Sequence, residues 1–315
     1  MAKLTIIKGL PGVGKSTLAR QMVLESGNTV RINRDDIRKM LAQKWSPQNE
    51  KTVIDMQKSL AGIAFLNDKN VIIDDTNLRH PKGGPWKDFW ALNMSGIETI
   101  DLTKESIGLC VQRDRQRKTR ENGRVGRAII NRMALENGLI DWDAFDGERS
   151  LVENRRIVIC DIDGTVADLE HRLHYVNKPG LGFELGVNGE ASEKKDYRKF
   201  HSECVNDTPF PVVIQWVSSL YSAGYTVCMV SGRSDECAIE TEEWLLKHGP
   251  CYDFLFMRRS GDYRDDAIIK REILKMLPKE RIEFAVDDRP RILNMWRSEG
   301  IKVYPVHQDK WEGRE

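Results

Sequence analysis

Short apolar runs rich in Ile and Val recur along the chain, each ending in turn-forming or charged residues, at positions 4–7, 29–32, 71–73, 97–102, 157–160, 226–230, 284–286 and 301–306. Runs of this length without polar alternation predict strands covered on both faces, and the longer stretches between them predict helices. Leu18, Met22 and Val23, for example, share one helical face after the first run. Strands alternating with helices predict an α/β fold of mostly parallel sheets flanked by helices, which place their ligands at the carboxyl ends of the strands. The polar stretch from Asp141 to Arg156, with Asp-Gly at 146 and 147, separates two such series. The expectation is therefore two domains, residues 1–149 and 150–315, in keeping with common domain sizes.

Composition narrows the class. Forty-nine Lys and Arg against 48 Asp and Glu leave a formal charge of +1, so any affinity for a polyanion must be local. No apolar run approaches membrane-spanning length, and the first residues leave no room for a signal peptide, so no membrane and a cytoplasmic location are expected. The six cysteines form no C-x-x-C pair and are expected as reduced, buried thiols. Cys160 is followed six residues later by Val166 rather than by the arginine of a cysteine phosphatase. His171 and His174 share a helical face but lack a third neighbour to hold zinc.

In the first half, Gly9-Leu10-Pro11-Gly12-Val13-Gly14-Lys15-Ser16 satisfies G-x-x-x-x-G-K-[ST] between a strand and a helix. The backbone of Gly9, Gly12, Val13, Gly14 and Thr17 is expected to cradle phosphates, with Lys15 reaching the β- and γ-phosphates of ATP and Ser16 ligating Mg²⁺. Asn33-Arg34-Asp35-Asp36-Ile37-Arg38 follows the next strand. Its spacing puts Asp35 and Arg38 on one helical face, where a base and an acceptor-holding cation belong in a kinase of hydroxyl groups. An apolar strand ends in Asp74-Asp75-Thr76-Asn77, carboxylates suited to Mg²⁺ or its waters. Between Arg113 and Arg132 stand eight basic and two acidic residues. Arg113, Arg117 and Arg120 then predict a guanidinium stripe on one helix, able to close over ATP as a lid.

The second half opens with a strand ending in Asp161-Ile162-Asp163-Gly164-Thr165, followed in order by Ser231-Gly232-Arg233, Lys270 and Asp287-Asp288. A carboxylate can take up a phosphoryl group while a second one two residues on handles protons. Together these elements resemble the four motifs of haloacid-dehalogenase-like phosphatases. That resemblance implies Asp161 as nucleophile, Asp163 as proton carrier, Ser231 and Lys270 on the transferring phosphoryl group, and Mg²⁺ held by Asp161, Asp163, Asp287 and Asp288. The insert at about 168–207 would be a small cap.

A phosphate-loop kinase followed by this phosphatase resembles the T-even phage type of polynucleotide kinase/3′-phosphatase over essentially the whole chain. The resemblance implies Asp35 as general base for a 5′-hydroxyl, Arg34 and Arg38 on the acceptor strand, Arg113 and Arg117 on the donor phosphates, and Asp75 at the metal. In the phosphatase half it adds Arg172, Arg233 and Asp266 as substrate-side residues. Asp266 is preferred to Asp265 because it lies four residues before Lys270. The implied function is bifunctional healing of DNA or RNA ends, using ATP and Mg²⁺, with a functional link to a nucleic-acid ligase and self-association into a homo-oligomer as further expectations. Two alternatives stand beside it: a metabolic small-molecule kinase fused to a phosphatase, and a nucleotide-dependent switch or binding protein.

Overall fold

A computed structural model describes residues 2–41, 47–78, 96–143, 155–176 and 196–311. It divides into two compact units, Met1–Arg124 with Asn137–Leu139, and Val125–Glu136 with Ile140–Glu315.

The first unit is built on β1 (Leu4–Lys8), β2 (Thr29–Ile32), β3 (Asn70–Asp74) and β4 (Ile97–Asp101) in the order β2-β3-β1-β4. All pairings are parallel, with Leu4 beside Val71 and Ile97. One face packs Leu4, Ile6, Ile32, Val71 and Ile73 against α2 (Arg34–Leu41) and α3 (Pro47–Leu66) through Ile37, Val53 and Ala61. The other packs Ile7 and Ile72 against α1 (Lys15–Ser26), whose Ala19, Leu18, Met22 and Val23 form the expected apolar face. Burial on both faces explains why β1 and β3 read as unbroken apolar runs. The last helix assigned to this unit is α4 (Ile107–Gln116).

The second unit has five parallel strands ordered β11-β10-β5-β8-β9: β5 (Ile157–Cys160), β8 (Thr226–Ser234), β9 (Phe254–Arg258), β10 (Ile282–Asp287) and β11 (Val303–Pro305). Its core joins Val158, Cys160, Val227, Met229, Leu255 and Val286 to helix residues such as Val217, Ala238, Trp244 and Leu245. These come from α7 (Pro211–Ser222) and α8 (Ala238–His248); α9 (Asp266–Met276) and α10 (Pro290–Ser298) complete the described helices of the carboxyl-terminal part. A two-stranded antiparallel ribbon, β6 (Ala167–Asp168) with β7 (Thr208–Pro209), closes the base of the insert, which also carries α6 (Tyr197–Ser202).

Three expectations change. Strand β9 is an edge strand that the sequence reading passed over, although Phe254-Leu255-Phe256-Met257 is a continuous apolar run. Strand β8 continues through Ser234, so the Ser-Gly-Arg motif lies in the strand's last residues, with a register break against β9 between Ser231 and Ser234. Helix α5 (Arg127–Glu136) belongs to the second unit: Ala128 lies in its core, the Arg127 backbone N–H donates to Glu242 at 3.2 Å, and Arg132 pairs with Asp235. The domain boundary expected near Ser150, and the middle of the insert, lie outside the described residues.

Candidate active sites

The phosphate loop follows β1 directly. Gly12 has φ 83°, and a Cβ there would run into the carbonyl oxygen of Cys110, so only glycine fits. The loop is tied to the end of β3 by the Gly9 N–H donating to Thr76 O at 3.0 Å. Lys15 is buried, and its Nζ donates to the carbonyls of Gly9 at 3.0 Å and Leu10 at 2.7 Å. Burial lowers its pKa to about 8, with Asp74 pulling the other way. Arg113 reaches in from α4 to donate to Val13 O at 2.9 Å.

The two carboxylates at the end of β3 do different things. Asp75 accepts from the Arg34 backbone at 3.0 Å, from Arg34 Nε at 3.1 Å and from Gln57 at 2.7 Å, so its oxygens are occupied in holding α2 and α3. Asp74 is buried, which pushes its carboxyl up against the opposing pull of Arg31 and the Ser16 hydroxyl. Its Oδ1 lacks a hydrogen-bond partner among the described residues. An orphaned buried carboxylate oxygen near Lys15 and Ser16 fits a divalent cation. Of the two carboxylates that the strand end offered for a metal, Asp74 is thus better placed than Asp75 for that role.

Asn33 caps α2 by accepting from the Asp35 backbone N–H at 2.9 Å. Asp35 and Arg38 do point together as an ion pair, and the Asp35 side chain is 75% exposed. Arg38 is also gripped by Glu50, from Nε at 3.0 Å and Nη2 at 2.7 Å, and Glu50 accepts from Arg34 at 3.3 Å. Glu50 therefore orients both arginines, a role that spacing along the chain did not reveal. The expected arginine stripe is not one helical face. Helix α4 ends at Gln116, Arg117 is its C-cap, and Lys118 turns left-handed with φ 62°. Arg117 donates back to Gly123 O at 2.8 Å and lies 3.5 Å from Asp114, while Arg127 and Arg132 serve α5 in the second unit.

In the second unit, the ends of β5, β8 and β10 and the first turns of α9 converge. Lys270 is buried, with Nζ 2.7 Å from Asp161, 2.9 Å from Asp287 and 3.8 Å from Asp266. Burial disfavours its charge, yet Asp161 and Asp287 keep it firmly protonated. Asp161 is 4% exposed; burial and the carboxylates of Asp287 and Asp288 push it well up, while Lys270 pulls it down. Oxygens of Asp161, Asp287 and Asp288 all lie within 4.8 Å of one another. Three crowded carboxylates against one ammonium leave an excess of negative charge that a Mg²⁺ ion fits. Gly164 has φ 80°, and a Cβ there would strike the Asp288 carboxylate, so the glycine of the motif is required for this approach. Asp265 caps α9 by accepting from Ala267 at 3.0 Å, leaving Asp266 to face Lys270.

Asp163 lies beside this cluster in a different field. Despite burial, Arg233 and Arg172 hold its carboxyl far below the usual carboxylate range. Arg233 donates from Nη2 at 2.7 Å and from Nε at 3.1 Å, and Arg172 from Nη2 at 2.5 Å. Both arginines are buried and both also grip Asp207, Arg172 at 2.7 Å and Arg233 at 2.5 Å. The Arg172 guanidinium lies 4.3 Å over the Phe200 ring of α6. Ser231, buried at the end of β8, accepts the Arg233 N–H at 3.2 Å.

Residues 187–311 match the family model described as the polynucleotide kinase PNKP phosphatase domain, and residues 4–136 match that of the AAA domain. The two matches fall one on each side of residues 137–186. It is 24% identical over 331 residues to a candidate bifunctional polynucleotide kinase/RNA ligase of Autographa californica nuclear polyhedrosis virus, covering 98% of this chain but 43% of that protein. The chain thus spans less than half the length of that curated relative. A solved chain from the Pnkp1/Rnl/Hen1 RNA repair complex is 26% identical, with 97% of this chain and 96% of that one covered and a TM-score of 0.38. A haloacid dehalogenase-like hydrolase from Streptococcus pneumoniae is 16% identical over 49% of this chain and 85% of its own, with a TM-score of 0.36.

Within the second unit, the structure brings together Asp161, Asp163, Ser231, Arg233, Lys270, Asp287, Asp288, Arg172 and Asp266, and adds Asp207. No sequence signal pointed to Asp207, because a lone Asp before Thr-Pro reads as a turn. Two outcomes test the geometry. Mg²⁺ at about 100 times its dissociation constant should stabilise the folded chain by roughly 2.7 kcal/mol. Asp288→Asn should shrink that gain while leaving metal-free stability equal or higher, since a repelling charge is removed; thermal melts with Mg²⁺ and with a chelator measure both. Asp207→Ala strips a shared partner from two buried arginines and should cost about 3–5 kcal/mol in urea unfolding. A loss below about 1 kcal/mol would mean that Asp163 alone holds the pair.

Proposed function

We propose that this chain heals nucleic-acid ends, transferring the γ-phosphate of ATP to a 5′-hydroxyl and removing a 3′-phosphate. The observation that carries the reading is a complete two-carboxylate, lysine and serine phosphatase site inside a domain of the polynucleotide kinase type, preceded on the same chain by a phosphate loop with a carboxylate–arginine pair.

In the kinase reaction, Asp35 accepts the proton of the 5′-hydroxyl as its oxygen attacks the γ-phosphorus and the bond to the bridging oxygen of ADP breaks. Arg38, oriented by Glu50, holds the acceptor's neighbouring phosphate, with Arg34 beside it. Lys15, Arg113 and Arg117 counter charge on the donor phosphates, and the loop backbone of Gly9 to Thr17 cradles them. Ser16 and Asp74 would hold the Mg²⁺ that accompanies ATP, while Asp75 holds Arg34 and Gln57.

In the phosphatase reaction, Asp161 attacks the 3′-phosphorus, and the bond to the sugar oxygen breaks as that oxygen takes a proton from Asp163. Asp163 begins as a carboxylate pinned by two guanidiniums. A substrate phosphate that draws Arg172 and Arg233 toward itself lets the carboxyl take up the proton it must deliver. Once that proton has gone, the restored carboxylate accepts one from the water that cleaves the aspartyl-phosphate. Lys270 and Ser231 bind the transferring group, Asp266 steadies Lys270, and Asp161, Asp287 and Asp288 would hold Mg²⁺, which offsets repulsion between anionic nucleophile and anionic phosphate.

The paired chemistry yields the 5′-phosphate and 3′-hydroxyl that a ligase joins. The named relatives, a kinase/ligase and a protein of an RNA repair complex, support a functional link of this kind. No helix of the described residues is long and apolar enough to cross a membrane, and the reading places the chain in the cytoplasm, where ATP is supplied.

The deciding experiment incubates the protein with Mg²⁺, labelled ATP and an oligonucleotide bearing 5′-hydroxyl and 3′-phosphate ends. Lys15→Ala and Asp35→Ala should abolish 5′ phosphorylation and spare 3′-phosphate release. Asp161→Asn should do the reverse, lowering phosphatase turnover by several orders of magnitude. A sugar phosphate or nucleoside that outcompetes the oligonucleotide would favour a metabolic enzyme instead. The buried Lys15 adds a pH signature. Its ammonium form is lost as pH rises through about 8, so kcat/KM for ATP, which reports the free enzyme, should fall above that pH as one proton leaves. A flat profile to pH 9.5 would separate the Lys15 charge from donor binding.

A further inference from the structure

The loop between β9 and α9 sits at the carboxyl end of the second sheet, the same edge that carries Asp161, Ser231 and Asp287. It is braced from within. Arg258 donates to Gly232 O at 2.7 Å, to Asp262 O at 3.2 Å, to Arg264 O and to Asp266 at 3.4 Å, which ties the loop to the Ser231-Gly232-Arg233 strand end. Arg264 is clamped by Asp262 at 2.7 Å and Glu272 at 2.7 Å, and Asp265 caps the helix that follows. At the crest of this fixed loop stands Tyr263, 89% exposed, with no hydrogen bond, ion pair or ring contact to the described residues. Arg289, two residues after the Asp287 carboxylate, approaches the same loop end, its Nη1 3.6 Å from Asp266 with the side chain 41% exposed.

An aromatic ring that contributes nothing to the core and is carried on a rigid loop loses little entropy on meeting a flat partner. The ion pairs lead from Lys270 through Asp266 to Arg258 and Arg289, and Arg258 in turn holds the backbone carbonyls of Asp262 and Arg264, the residues on either side of Tyr263. Base–aromatic stacking tolerates every base, as an enzyme acting on ends of any sequence requires. We propose that Tyr263 stacks on the base of the 3′-terminal nucleotide, with Arg289 facing the adjoining backbone phosphate. This deepens the phosphatase reading and rests on it: the substrate is gripped one nucleotide deep rather than by its phosphate alone.

The test compares two 3′-phosphorylated oligonucleotides that differ only in the last nucleotide, one with its base and one abasic. With wild-type protein the abasic end should show a KM about tenfold higher, within the range of one stacked base. Tyr263→Ala should bring the ratio of the two KM values to about one, and Tyr263→Trp should restore it. Equal KM values for both substrates with wild-type protein, or a ratio that survives Tyr263→Ala, overturns the stacking assignment. Failure of wild-type protein to release phosphate from either oligonucleotide overturns the phosphatase reading itself, a result distinct from loss of the base preference.

Discussion

The ammonium of Lys270, held between Asp161 and Asp287 in the interior of the second unit, fixes everything around it. Three charges removed from water would each cost several kcal/mol alone, and they are tolerable because the lysine lies within 3 Å of both carboxylates. The contact ties α9 to the ends of β5 and β10, three elements far apart in the chain. It also keeps the nucleophile's charge in check without satisfying it, since Asp288 adds a further negative group to the cluster. A site left short of positive charge fits a cation, which the proposed phosphate substrate would also need.

The neighbouring cluster solves a different problem. Asp163, Asp207, Arg172 and Arg233 balance to zero formal charge, and each arginine is shared by both carboxylates. Asp207 grips no other part of the catalytic set, and its backbone carbonyl is fixed by the Trp244 indole at 2.8 Å. In the proposed phosphatase reaction it would serve as a fixed anchor, so that the arginines could turn from Asp163 toward an incoming phosphate without losing every partner. The proton-carrying group can then change its affinity during the reaction although nothing larger than two side chains moves.

Much of this was legible in the sequence because parallel strands end where the chemistry begins. The apolar runs located seven of the eight strands expected for two sheets within a residue or two, and the eighth, β8, ran four residues further than its apolar portion suggested. The phosphate-loop residues followed from spacing, and the phosphatase set from its resemblance to a known family. What the sequence concealed were partners fixed only by tertiary contact. Glu50 meets Arg38 across twelve residues, and Asp207 meets Arg172 across thirty-five, with no periodicity to announce either. The arginine-rich stretch misled for a related reason. Regular spacing implied a continuous helix, but Lys118 in a left-handed turn breaks it, and the basic residues beyond are distributed between two cores. Asp74 is the last residue of β3 and Asp75 lies just beyond it, and they take different partners, Arg31 for the first and Arg34 with Gln57 for the second, which a run of two aspartates cannot reveal.

In the proposed reactions, the exposures of the two reacting carboxylates differ in the direction their assigned tasks require. Asp35 is three-quarters open to solvent, whereas Asp161 is almost wholly buried. A base that only accepts a proton from a hydroxyl arriving at a strand end gains from access, and its arginine neighbour supplies orientation. A carboxylate that must itself bond to phosphorus gains from exclusion of water, because a hydrated carboxylate is a weak nucleophile and a dry one sits in a field that fixed charges can shape. Burial of Asp161 would by itself protonate and silence it. In the proposed reaction, Lys270 on one side, and the cation that the crowded aspartates call for on the other, would keep the buried carboxylate ionised and able to attack.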